Sequence, residues 1–296
     1  MLYRLKYIRS GVMIALFIFC FLPAPLQAKP FLWKMEDDDS VLFLLGSVHV
    51  LGPDHYPLAQ AYSDAYKMSE KIVFEADLSD QKLNQAMRLA SQLGEFQDEK
   101  TLKSVMGEQR FNALHQKALK QGLSLRMMNS LEPWFATMMI AQITIVQAGL
   151  SPELGVDKYF ERQAVDDGKP VGALETVEQQ LRFFDDLSMG NQIILLEETI
   201  EKFADGSKVM DEMMSAWVNG ETQKLANLLN REMKGHPELK DVLLKQRNRN
   251  WVPQIETLLA GRDDVLVVVG AGHLVGPDSV IRMLRDKGYE VTRVSG

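Results

Sequence analysis

The chain has 296 residues, of which 46% are hydrophobic and 25% charged, with a formal net charge of −7. Those fractions belong to an ordinary globular protein and exclude a disordered or fibrous one, and the acidic balance argues against nucleic acid or an anionic lipid surface as a partner. With Cys20 as its single cysteine, the chain has no disulfide framework and no cysteine zinc cluster, so any metal must be held by histidine and carboxylates.

The first residues, MLYRLKYIRS, carry Arg4, Lys6 and Arg9 and no acid, and an apolar segment from Gly11 to Leu22 precedes PAPLQA and Lys29. This is the pattern of a secretory signal peptide over residues 1–28, because the apolar run is shorter than the roughly 20 residues of a membrane-spanning helix. The expected product is periplasmic or secreted and has no stable transmembrane span. An uncleaved anchor is the alternative. Processing after Ala28 removes Cys20 and three basic residues, taking the formal charge from −7 to −10.

Next, FLWKM and VLFLL flank EDDDS as a predicted hairpin, and a helical stretch with Leu58, Tyr62, Ala65 and Met68 on one face leads to the strand KIVFEADL. Strand, helix and strand predict a right-handed crossover. GKPVGALET supplies a middle strand, and DVLVVVG opens a second strand, helix and strand unit. Its helix is expected from about Pro277 to Lys287, with Pro277, Asp278 and Ser279 in the first turn, and YEVTRV follows. Continuous apolar strands belong to a sheet covered on both faces. Nearly everything else between Asp80 and Arg262 has helical period. MMIAQITIVQA reads as a buried helix, and Met210, Met213, Met214 and Trp217 form a stripe that faces either the core or a peptide. The predicted architecture is one α/β domain over residues 29–296, a mainly parallel central sheet flanked by helices, with a large helical insertion at about 80–262.

One pattern occurs twice. GSVHVLGPD, Gly46 to Asp54, returns as GAGHLVGPD, Gly270 to Asp278, each after an apolar strand. The glycines suit sharp turns at strand ends, and GPD suits a helix start. The histidines need another reason, since each falls at the carboxyl edge of its strand, where open α/β sheets bind ligands. Glu75 and Glu175 end two further strands. Parallel neighbours would bring His49, Glu75, Glu175 and His273 together, a ligand set for a divalent ion such as Zn, Mn or Co. Helix caps and buried ion pairs are the competing explanation. Ser47 lacks a G-x-S-x-G elbow and is expected to point away from His49. Asp157 reads as a structural acceptor, His55 as a loop residue, His115 as a core-edge residue and His236 as a turn.

The two G-x-x-H turns and Glu75, together with GVDKYFERQA, GKPVGALETVEQQ and QRNRNW, resemble the TraB/GumN family, which includes pheromone-shutdown proteins and the Tiki proteases. The resemblance covers about Phe31 to Val294. It implies a fold related to erythromycin esterases and haem-binding ChaN-like proteins, and for Tiki-like members a metal-dependent peptidase activity. On that reading His49, His273 and Glu75 hold the metal, with Glu75 as ligand or as base, Glu175 as the remaining carboxylate, and Arg247 steadying an oxyanion or substrate carboxylate. A buried ion pair with Asp157 or Glu175 is the other role open to Arg247. The expected function is an exported metal-dependent hydrolase of a peptide, amide or ester. The alternative is a binding protein that sequesters a small peptide or a haem-like ligand without turnover.

Overall fold

The computed structural model describes residues 29–295; the expected signal peptide lies outside the described residues. Six strands form one mixed sheet in the order β4-β3-β5-β2-β1-β6. β1 (Leu32–Glu36) and β2 (Val41–Ser47) are the predicted hairpin, running antiparallel from Leu32 opposite Leu45 to Glu36 opposite Val41. Asp37 closes its turn by accepting the Ser40 N–H at 2.9 Å. β3 (Lys71–Phe74), β4 (Val171–Ala173) and β5 (Val265–Gly270) all run parallel to β2. β6 (Thr292–Arg293) pairs antiparallel with β1 and so points the same way as β5.

Burial accounts for the strand order. Val265 to Val269 in β5 are at most 1% exposed, so this strand takes a central place with helices over both faces. Each such side chain contributes about 1.5–3 kcal/mol relative to exposure. At the open edge β4 has only three residues, with Val171 42% exposed, and a short edge offers little to a foreign strand.

Three expectations shift on the structure, and the methionine stripe resolves to the core. In the helix Gln60–Met68 the buried face is Tyr62, Ala65 and Tyr66, while Met68 is exposed. The two phenols can turn inward because Tyr62 accepts the Phe31 N–H at 2.9 Å and Tyr66 donates to Asp167 at 2.7 Å. The last helix is Val280–Asp286, not a helix from Pro277: Ser279 caps it by accepting the Arg282 N–H, and Asp278 faces Lys240 and Lys245 at 3.4 and 3.5 Å. MMIAQITIVQA lies in the helix Pro133–Gln147, which buries Trp134, Ala136 and Ile140 but exposes Met138, Met139 and Val146. Of the methionine stripe, Met214 and Trp217 join the core while Met210 and Met213 are half-buried against it. No helix among the described residues is long and apolar enough to cross a membrane.

One close approach fixes the loop after β2. Gly155 precedes the helix Val156–Asp166, and a Cβ there would lie 2.3 Å from the His49 carbonyl oxygen. The Val156 N–H donates to Val48 O at 3.0 Å, and Leu51 pairs with Ser151. Gly155→Ala should therefore destabilise the protein by about 1–3 kcal/mol. Gly190→Ala, whose added methyl meets nothing within 4 Å, should be neutral or stabilise by up to about 1 kcal/mol. Urea unfolding of both variants checks the contrast; equal effects would remove the close approach as the cause.

Candidate functional site

β2 and β5 are direct parallel neighbours, with Gly46 opposite Val269 and Ser47 opposite Gly270. The two G-x-x-H turns therefore leave the same edge of the sheet side by side. There they diverge. Ala271–Leu274 forms one 3-10 turn that buries His273, whereas the His49 side chain remains 62% exposed. β3 delivers Glu75 to the same edge and β4 delivers Glu175, whose N–H donates to Glu75 O at 2.8 Å. The helix Arg247–Leu259 brings Arg247 over them.

Arg247 ties the cluster together. Its Nη2 donates to Glu75 Oε2 at 2.6 Å, its Nε to Glu175 Oε2 at 3.0 Å, and its Nη1 to His273 Nε2 at 3.2 Å. Trp251 lies 4.8 Å from the guanidinium, and its Nε1 donates to Glu175 Oε1 at 2.8 Å. The buried partner of Arg247 is thus Glu175 together with Glu75, and Asp157 is engaged elsewhere. Burial works against the charge on Arg247, but Glu75 and Glu175 raise it above its ordinary value. Burial likewise works to raise Glu75; Arg247, His49 and the Gly270 N–H, which donates to Oε1 at 2.6 Å, oppose it and hold Glu75 below the usual carboxylate range.

The two rings are held differently. Burial pushes His273 down to about 3, with Glu75 opposing and Arg247 and His49 assisting, so it is neutral at pH 7. Arg247 therefore supplies the positive charge that faces Glu75 from that side. Asn248 fixes the tautomer: its Nδ2 donates to Asp278 O at 2.7 Å, which turns Oδ1 toward His273 Nδ1 at 2.6 Å. Nδ1 carries the proton and Nε2 keeps its lone pair. His49 Nδ1 lies 3.0 Å from Asp157 Oδ2, and the Asp157 charge raises His49 to about 9. Since the ring is open to solvent, that direction rests on the Asp157 contact and not on burial.

Ser47 does not point away from His49. Its Oγ donates to Asp157 Oδ1 at 2.8 Å, because residues two apart at a strand end share a face. It is buried and committed to that carboxylate, which leaves Asp157 gripping both residues of the turn.

The site offers a donor set for a divalent ion. A methyl placed on Gly270 would lie 3.2 Å from Glu75 Oε1, 3.3 Å from His49 Nε2 and 3.7 Å from His273 Cδ2, so all three side chains border one small space. Both imidazoles are anchored through Nδ1 to an oxygen acceptor with Nε2 turned toward the site, the orientation in which histidines bind metals once Arg247 has left His273 Nε2 and His49 has given up its proton. Among the described residues, no three His, Cys, Asp or Glu side chains form a ready-made ion shell. The reason is Arg247, whose guanidinium stands at the lone pair of His273 and at Glu75. The donor chemistry fits an ion, and the spacing is that of an arginine-closed site.

Asp157, expected as a structural acceptor, is one for Ser47 and His49, while its place in the site and the roles of Asn248 and Gln180 are what sequence reasoning missed. Gln180 Nε2 donates to Glu75 Oε2 at 3.3 Å and approaches Glu175 Oε2 at 3.5 Å. Each lies in a segment with other signals, in GVD, in RN and in LETVEQQ, but nothing in one sequence says which ring or carboxylate it meets. The other histidines lie apart: His55 accepts the Gly52 N–H, His115 packs on Phe111, and His236 sits beside Glu198.

Fold and site together define an α/β protein whose parallel strands gather histidine, glutamate and arginine at their carboxyl edge. The chain belongs to the TraB/PrgY/gumN family, which it matches over residues 31–293. The uncharacterized protein YbaP of Escherichia coli (strain K12) is 27% identical over 266 residues, 88% of this chain and 96% of its own. A metalloprotease TIKI homolog from Amphimedon queenslandica is 29% identical over 194 residues, 56% of this chain and 38% of its own. Metalloprotease TIKI2 of Danio rerio is 26% identical over 163 residues, 46% and 32% of the two chains. No solved structure matches.

Arg247→Met should cost about 3–5 kcal/mol at pH 7, because it leaves two buried carboxylates without their cation. The sign with pH follows from Glu75. In the wild type its contribution is present above the ordinary carboxylate range and is lost as pH falls below that range. In the variant burial acts unopposed by Arg247, and protonation relieves it. The stability gap should be widest near neutrality and shrink below about pH 5. Urea unfolding between pH 4 and 8 measures this, and a gap independent of pH would reject the account.

Proposed function

We propose that this protein is an exported metal-dependent hydrolase acting on a peptide, amide or ester bond. The observation that carries the reading is the convergence of His49, Glu75 and His273 around Gly270 with both rings anchored through Nδ1. The TIKI relatives, named metalloproteases, support the same class. A divalent ion held by His49, His273 and Glu75 supplies Lewis acidity and water activation. The chain supplies the rest. Asp157 orients His49, and Asn248 fixes the tautomer of His273 with Nε2 toward the site. Glu175 and Trp251 steady Arg247, whose guanidinium, once it leaves His273, is placed to bind the charge that develops on a carbonyl oxygen. Glu75 serves as ligand or as general base.

The cleft beside His49 and Glu75 measures about 260 Å³, at the small end of ligand sites. It suits a side chain better than a haem-sized group, which weighs against a haem-like ligand in the sequestering alternative.

Metal analysis after chelation and refilling with zinc, manganese or cobalt tests the reading. His49→Ala and His273→Ala should each abolish metal retention and hydrolysis, and the double variant should be little worse, since ligands act as a unit. Glu75→Gln separates its two roles: loss of turnover with metal retained assigns the base, and loss of metal assigns the ligand. Full metal binding and wild-type activity in both histidine variants would end the proposal. Export has its own readout. The cell-derived protein should begin near Lys29 by mass spectrometry, and an intact Met1 terminus would reject processing.

A further inference from the structure

The cleft has a chemical character of its own. Its walls away from the catalytic cluster are Phe74, Ala76, Leu78, Leu83 and Pro152. The polar groups around them are already engaged. Lys158 Nζ, whose side chain is 14% exposed, donates to Leu78 O at 3.2 Å and lies within 3.3 Å of Asp80 and Glu161. Asp157 is held by Ser47 and His49, Gln180 lies against Glu75 and Glu175, and Glu153 pairs with Arg162 at 3.3 Å. With an ion balancing the cluster, a charged side chain entering here would lose water and find only the exposed Glu153, already paired with Arg162, at the rim, whereas an apolar one would bury its surface. Lys158 also ties the helix Val156–Asp166 to the segment after β3, which keeps Leu78 at the wall.

A second concavity, of about 470 Å³, shares Glu153 and Lys158 with the first and follows the same helix past Arg162 to Val165 and Asp166. Lys158 and Asp166 are eight positions apart on that helix, about 12 Å at 1.5 Å per residue. That is the span of about three to four residues of extended chain.

We infer that the substrate is an extended peptide with a large uncharged apolar residue beside the scissile bond. That side chain fills the cleft bordered by Leu78, Leu83 and Pro152, and the peptide continues for three to four residues along the helix Val156–Asp166. This rests on the hydrolase reading and adds its substrate class. Leu83 becomes a specificity-determining residue, placed on the wall and away from the reacting atoms.

The test uses the mature protein refilled with zinc, manganese or cobalt and a set of capped alanine octapeptides, each with one Leu, Phe, Lys or Glu, with cleavage mapped by mass spectrometry. Cleavage next to Leu or Phe should exceed that next to Lys or Glu by about 10- to 100-fold in kcat/KM. Shortening the peptide on the side that lies along the helix should leave kcat/KM unchanged while three to four residues remain there and lower it with each residue removed after that. Leu83→Asp should collapse the Leu-to-Lys ratio, and Leu83→Trp, which keeps the wall apolar while filling the cleft, should shift the preference to Ala. Cleavage without side-chain preference, or an unchanged ratio in both Leu83 variants, would overturn the inference and leave the hydrolase reading standing. If no peptide is cut, the peptidase form of that reading fails, and binding of the same peptides to the metal-loaded wild-type protein by fluorescence anisotropy decides this one. Tighter binding of the Leu and Phe peptides than of the Lys and Glu peptides supports it; equal or absent binding rejects it.

Discussion

Parallel pairing of β2 with β5 is the constraint from which the site follows. The valine run of β5 is buried on both faces, so it must sit inside the sheet, and its neighbours must supply apolar strands in matching direction. β2 does so with Leu42, Leu44 and Leu45, all fully buried. Once Leu42 stands opposite Val265, the positions of Gly46 and Gly270 at the strand ends are set. Core burial thus fixes the relative placement of two turns that are 224 residues apart in the chain. The fit is tight: a Cβ at Gly46 would lie 3.1 Å from the Ala271 Cα, and Trp217 closes the strand end by donating to Gly46 O at 2.7 Å.

Charge then organises the edge. Glu75, Glu175 and Asp157 face Arg247 and a protonated His49, three carboxylates against two cations. Such a group survives burial because hydrogen bonds from Gly270, Trp251 and Ser47 satisfy the carboxylate oxygens that the cations leave free. The arrangement is also short of positive charge. Replacing the His49 proton by a divalent ion would bring the five side chains and the ion to balance, and it would make ion uptake release a proton.

Strand identities and directions were legible in the sequence because they depend on local apolar runs and on the handedness of crossovers. So was the meeting of His49, Glu75, Glu175 and His273, which requires only parallel strands. What escaped were properties set by partners distant in the chain. Tyr66 turns inward only because Asp167 receives its hydroxyl. Pro277 stays outside its helix while Asp278 meets Lys240 and Lys245. Asp157 looked like one acceptor among many, since the chain does not reveal that Gly155 lets its helix approach His49 closely enough for contact. Arg247 could be assigned a carboxylate partner but not both of them, nor a bond to His273.

Two nearly identical turns end in unlike environments, and the difference gives the site a direction. His273 is enclosed by Trp251, Asn248 and Arg247, with ring centroids of Trp251 and His273 4.4 Å apart. Nothing large can reach it from that side. His49 opens to solvent over the cleft and beside the helix Val156–Asp166. A buried neutral ring in a fixed tautomer is a rigid donor, and an exposed ring held by one carboxylate can exchange its proton and its partner. A molecule in the cleft therefore meets His49 and Glu75, which both line it. The second G-x-x-H turn is not redundant with the first: one anchors the site to the core, and the other faces what enters it.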